Sequence, residues 1–163
     1  MKFITISFIS LFFLSTSSAQ ELKPFTSDGC TMFIDGTGSD PNAWRHCCFN
    51  HDLRYWFGGS KSDRVKADKK LRSCVRESGH GHFARLMYLA IRVGRFSPIK
   101  NEQKWGWGWT TYFGYQDLTM NQMSTVVNEL DRLGLPEEDV REFKRFYNLK
   151  AEIIPAVTSD SSL

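Results

Sequence analysis

The chain has no apolar run long enough to span a bilayer. Its two greasiest stretches, Phe3 to Leu14 and Phe83 to Val93, fall well short of the ~20 residues that a spanning helix needs. It also lacks a Gly-x-Ser-x-Gly turn, which removes the usual setting of a serine nucleophile in an ester hydrolase. Cysteine is scarce: four residues, Cys30, Cys47, Cys48 and Cys74, with none of the spacings of a zinc knot. There is no internal repeat and no recognised nucleic-acid motif, so solenoids and sequence-reading DNA or RNA modules are excluded.

The N-terminus carries one charge at Lys2, then the apolar run, then Ser15-Thr-Ser-Ser-Ala19 with small residues at Ser17 and Ala19. That order reads as a signal peptide over residues 1–19, cleaved after Ala19, and implies a secreted or periplasmic protein. No cysteine follows the cut, so a lipid anchor is not expected there. Residues 20–154 are read as one domain and 155–163 as a flexible tail. In an oxidising compartment the four cysteines are expected to form two disulfides, for which three pairings exist. Adjacent Cys47 and Cys48 would point ~100° apart on a helix, which suits two different partners.

Charge is unevenly spread. Residues 45–104 hold 14 Lys and Arg against 5 Asp and Glu, whereas both flanks are acidic. A basic middle either meets an anionic surface or is simply a solvated helix face.

Local signals place five helices, so the expected class is all-α. Asp40-Pro41 offers an N-cap with proline at the first helical position, and Gly58-Gly59 a stop, giving a helix from about Pro41 to Phe57. A second follows from about Asp63 to Glu77, with Val65, Asp68, Leu71, Cys74 and Val75 inward and Lys66, Lys69, Lys70, Arg72 and Arg76 outward. Phe83 to Val93 is apolar nearly all round and reads as a buried core helix. The His80-Gly81-His82 loop before it reads as a solvated turn, with metal binding as the alternative. Thr119 to Leu133 and Pro136 to Leu149 complete the set, the latter opening on Glu137-Glu-Asp139 at its positive dipole end. Trp105-Gly-Trp-Gly-Trp109 suits an extended segment, its tryptophans either seated in a lipid headgroup layer or covering the core or an oligomer contact.

The chemistry concentrates in Cys47-Cys-Phe-Asn-His-Asp-Leu-Arg-Tyr55. At helical spacing Trp44, Cys47, Cys48, His51, Asp52 and Tyr55 share one stripe, a face of ionisable groups where a core helix would carry aliphatic ones. His51 can take a proton from water, with Asp68 as the carboxylate that fixes its tautomer. Asp52 and the oxygen-rich loop around Asp28 to Cys30 suit a hard cation such as Ca²⁺. Together these parts match metal-assisted ester hydrolysis.

This helix resembles the C-C-x-x-H-D-x-x-Y helix of calcium-dependent secreted phospholipases A2, and Ala67-Asp68 to Cys74 resembles their second helix, where an Asp stands six residues before a Cys. The likeness covers Asp28 to Val75. It implies a disulfide-linked antiparallel helix pair with an N-terminal calcium-binding loop, and leaves the Trp-rich segment and the additional C-terminal helices to the local signals above. It also implies His51 as general base, Asp68 as its orienting partner, Tyr55 as a hydrogen-bond donor to Asp68, and disulfides Cys30–Cys48 and Cys47–Cys74. The loop Ser27-Asp-Gly-Cys-Thr-Met-Phe33 departs from the Tyr-x-Cys-x-Gly-x-Gly of the animal enzymes and is closer to the bacterial and fungal branch, which points to Asp28, the Gly29 carbonyl and Asp52 as calcium ligands. The implied partner is a phospholipid membrane surface. Oligomeric state is not readable.

Two other classes use the same features. A non-catalytic relative would keep the fold and bind a membrane or a protein through the basic middle and the Trp segment, but such proteins usually lose the His or the calcium Asp. A purely structural stapled domain explains the cysteines and leaves an inward Asp68 without a purpose.

Overall fold

The computed structural model describes residues 21–31, 33–94, 103–111 and 114–149. The leader 1–19 and the tail 155–163 lie outside them, as do Tyr112 and Phe113 of the aromatic run. Five helices follow in order: α1 (Arg45–Phe57), α2 (Lys61–Glu77), α3 (Gly81–Gly94), α4 (Met120–Arg132) and α5 (Glu137–Phe146). Among the described residues there is no strand, only an isolated bridge between Leu22 and Trp109. The protein is all-helical.

Helix α1 is the axis of the molecule. Its N-terminal half enters a core of Cys30, Trp44, Cys47, Cys48, Leu71, Val75, Ala84 and Met87, supplied by the preceding loop, α2 and α3. Its C-terminal half, Leu53, Trp56 and Phe57, enters another core with Trp109, Leu118, Val126, Val127, Leu130, Phe143 and Leu149. Two disulfides, Cys30–Cys48 and Cys47–Cys74, are both in the first core, and no cysteine is free. Neighbouring cysteines on α1 thus reach two different elements.

Helix boundaries follow the caps. Ser60 caps α2 in a reciprocal box with Asp63, and Thr119 caps α4 with Gln122, each side chain accepting from the other's backbone amide. Helix α1 begins at Arg45 rather than Pro41. The Trp44 amide is taken by the Asp35 carbonyl at 3.0 Å and its indole by the Ile34 carbonyl at 2.7 Å, so residues 41–44 remain a turn tied to the loop. Helix α5 stops at Phe146, short of Leu149, because Asn148 turns left-handed at φ 53°. The Leu149 amide then reaches back to the Lys144 carbonyl and that of Asn148 to Arg145, a Schellman ending.

Two expectations about packing fail. Helix α3 is not a core helix: only Ala84 and Met87 are buried, while Leu86, Leu89 and Val93 are more than half exposed. It packs against α2 by one side alone, so hydrophobicity all round does not become burial all round. The Trp105 to Trp109 segment is not extended either, but turns over the end of α1, with Trp105 and Trp109 buried. Its rings cover the core. Gly108 has no room for a Cβ, which would lie 2.5 Å from the Trp56 ring. Gly108 is needed for this close approach, and Gly106 for its left-handed turn at φ 78°.

Candidate functional site

Three of the residues that the sequence singled out for chemistry, His51, Tyr55 and Asp68, meet where α1 crosses α2. His51 Nε2 donates to Asp68 Oδ1 at 3.2 Å, and the Tyr55 hydroxyl donates to the same oxygen at 2.7 Å. The 35° ring tilt between His51 and Tyr55, with centroids 4.2 Å apart, packs the imidazole against the phenol. Asp68 is wholly buried and His51 nearly so. The Nδ1 atom of His51 makes no hydrogen bond among the described residues and is not sealed from solvent. It is the nitrogen left for a water.

Electrostatics favour a neutral imidazole over an ionised acid. Burial pushes the His51 pKa down from 6.5, and this outweighs the pull of Asp68. Burial alone would raise Asp68, but the bonds from His51 and Tyr55 and the nearby Arg64 charge carry it below the ordinary carboxylate value. The sequence reading did not find the other half of this arrangement. Arg92 of α3 stands 3.5 Å from Asp68 Oδ2 and Arg64 of α2 3.9 Å from the same atom, while Arg64 also donates to the Tyr115 hydroxyl at 3.0 Å. The one available signal was Arg64 four residues before Asp68.

Asp52 faces a different environment. Its carboxylate accepts from Ser27 Oγ at 2.7 Å, and its pKa is raised to about 7 by burial, with Asp28 and Asp35 adding to the rise. Asp28 is exposed and accepts from the Thr31 hydroxyl at 2.7 Å. Gly29 sits at φ +88° with the Asp35 carboxylate where a Cβ would be, and its carbonyl accepts from the Thr31 amide at 3.1 Å. Asp35 itself takes the Cys30 amide at 2.7 Å and pairs with Arg45.

A buried carboxylate among further acids, compensated by one hydroxyl, is a donor set for a hard cation, which would remove the cost of ionising Asp52. Oxygen donors from Asp52, Asp28 and the Gly29 carbonyl fit calcium by type. Among the described residues the group of acidic, His and Cys ligand atoms lying within 4.8 Å of one another is instead His46, Cys47 and Cys74. Both of those sulfurs are bonded in disulfides, so this group is no metal site.

A comparison of the chain with family models, curated proteins and solved structures finds no match.

Proposed function

We propose that this protein is an exported, calcium-dependent phospholipase A2 that hydrolyses the sn-2 ester of phosphoglycerides. The observation that carries the reading is the buried Asp68 accepting from both His51 Nε2 and the Tyr55 hydroxyl while His51 Nδ1 stays open to water. The disulfide pairing and the residue motifs of α1 and α2 support it. Cys47 faces Cys74 and, one turn on, His51 faces Asp68, the order of an antiparallel pair. The 27–31 loop is read as the calcium loop.

In this mechanism His51 Nδ1 takes a proton from a water as that water attacks the ester carbonyl carbon. Asp68 accepts from Nε2–H throughout, holding the tautomer and stabilising the imidazolium that forms. The proton then passes from Nδ1 to the departing glycerol oxygen as its bond to the acyl carbon breaks. Fatty acid and lysophospholipid leave. Tyr55 and the two arginines position Asp68. Asp52, Asp28 and the Gly29 carbonyl would hold the calcium ion, which when bound supplies positive charge to the ester carbonyl and its developing oxyanion.

His51→Gln should lower fatty-acid release from phospholipid vesicles by at least about a hundredfold, and EGTA should abolish it, with the far-ultraviolet circular dichroism unchanged in both. Release that persists through both changes overturns the reading. Vesicle binding with no release by the unaltered protein returns it to the non-catalytic class.

A further inference from the structure

Six large hydrophobic side chains are exposed among the described residues, and three of them, Leu86, Leu89 and Val93, form one stripe at i, i+3 and i+7 on α3, at 54%, 52% and 68% exposure. Ala90 is exposed beside them. The opposite side of the helix holds the buried Ala84 and Met87. The stripe is therefore a ridge on a helix that already has its packing partner on the other side. An amphipathic helix with its apolar side turned to water marks a surface that something covers.

Charge identifies what covers it. The segment from Ser78 to Gly94 contains no acidic residue and carries Arg85 and Arg92. Helix α2, packed alongside, exposes Lys69, Arg72 and Arg76 on the side where Arg72 lies over the Tyr88 ring of α3 at 5.4 Å, whereas Lys66 and Lys70 turn away to Phe146 and Glu142 of α5. An apolar ridge bordered by cations matches the boundary between acyl chains and anionic headgroups, where a helix lies in the plane of the membrane. No helix of the described residues is long and apolar enough to cross a bilayer, in keeping with lying on it. The ridge also ends at the candidate site: Arg92, next to Val93, is the residue that reaches Asp68.

We propose that the Leu86–Leu89–Val93 ridge of α3, with its basic flanks, docks the protein on an anionic phospholipid surface with the His51–Asp68 pair beside the contact. The identity of the lipid as substrate rests on the function proposed above; the docking does not. The test compares the full chain with its Leu86→Ser/Leu89→Ser/Val93→Ser form, all three changes at exposed positions. Binding to phosphatidylglycerol and phosphatidylcholine vesicles is followed by sedimentation in EGTA, and hydrolysis is measured on a short-chain phosphoglyceride kept below its micelle concentration. The triple variant should bind phosphatidylglycerol vesicles at least about tenfold more weakly. The unaltered protein should prefer phosphatidylglycerol to phosphatidylcholine and release vesicles as salt rises. Turnover of the dispersed substrate should match in the two proteins. Equal vesicle binding by both proteins overturns the docking surface, as does a ridge-dependent dimer that leaves vesicle binding unchanged. Ridge-dependent binding with no turnover of either substrate keeps the docking surface and overturns the phospholipase reading.

Discussion

Asp68 has no exposure to water and four side chains facing it: His51 and Tyr55 on one oxygen, Arg64 and Arg92 beside the other. A buried carboxylate is costly unless its charge is matched, and here the match is more than sufficient, because the pKa ends below 3.8 despite burial. The linkage has a definite sign. A carboxyl whose folded pKa lies below its unfolded value contributes stability above the unfolded value, and loses it as pH falls through the folded one. The urea-unfolding stability of the unaltered protein should therefore exceed that of Asp68→Asn most at pH above about 4, and the gap should narrow as the solution is acidified below that. A gap that stays constant down to about pH 2.5 would show that Asp68 is not held ionised by its neighbours. The inward direction of Asp68 was legible in the helical period, since it falls between Val65 and Leu71 on the apolar side of α2. Its two arginines were not. Arg64 lies in a run of charged residues that reads as solvated, and Arg92 comes from a different helix whose approach no spacing encodes.

At the scale of one element, the end of α1 depends on a segment 50 residues downstream for its hydrogen bonds. The last four carbonyls of a helix have no partner within it. Here the Gly58 amide takes Arg54, the Gly106 amide Tyr55, the Gly108 amide Trp56 and the Trp109 indole Phe57, at 2.6 to 2.9 Å. The Trp-Gly repeat is a cap for a buried helix end. Gly108→Ala should cost about 1–3 kcal/mol in stability, because the new methyl group meets the Trp56 indole and cannot be accommodated without moving a buried ring. Gly38→Ala, which meets nothing within 4 Å, should be neutral in the same thermal melts; equal effects at the two positions would remove the argument. From the sequence the segment invited an alternating strand, because period two and large aromatics are its only local signals. The demand for donors at Tyr55 to Phe57 is non-local, and no periodicity within 105–109 reports it. The ends of α1 and α5 escaped for a related reason: the Trp44 amide and the Asn148 turn are set by the loop and by chain reversal, not by the apolar pattern.

Across the whole molecule, α1 divides two cores that differ in how they are held. The core shared with α2 and α3 contains both disulfides. The core shared with α4 and α5 is held by aromatic packing around Phe57 and by the buried Arg54, which reaches Glu142 at 2.9 Å, with Asn50 reaching Asp139 at 3.1 Å. A cross-link spanning 27 residues limits the unfolded chain by an amount worth about 3.5 kcal/mol in the loop-entropy account. Replacing Cys47 and Cys74 by alanine should therefore lower stability by about that much, and unevenly. Amides of α2 and α3 should lose hydrogen-exchange protection first, while those of α4, α5 and the C-terminal turn of α1 keep theirs. Because His51 sits one turn from Cys47 and its partner Asp68 sits on α2, the ester hydrolysis proposed for this pair should fall further in this variant than the folded fraction does. Protection lost evenly from all five helices would mean that the two cores unfold as one unit, and that the Cys47–Cys74 bond stabilises the whole chain without holding the His51–Asp68 pair in particular.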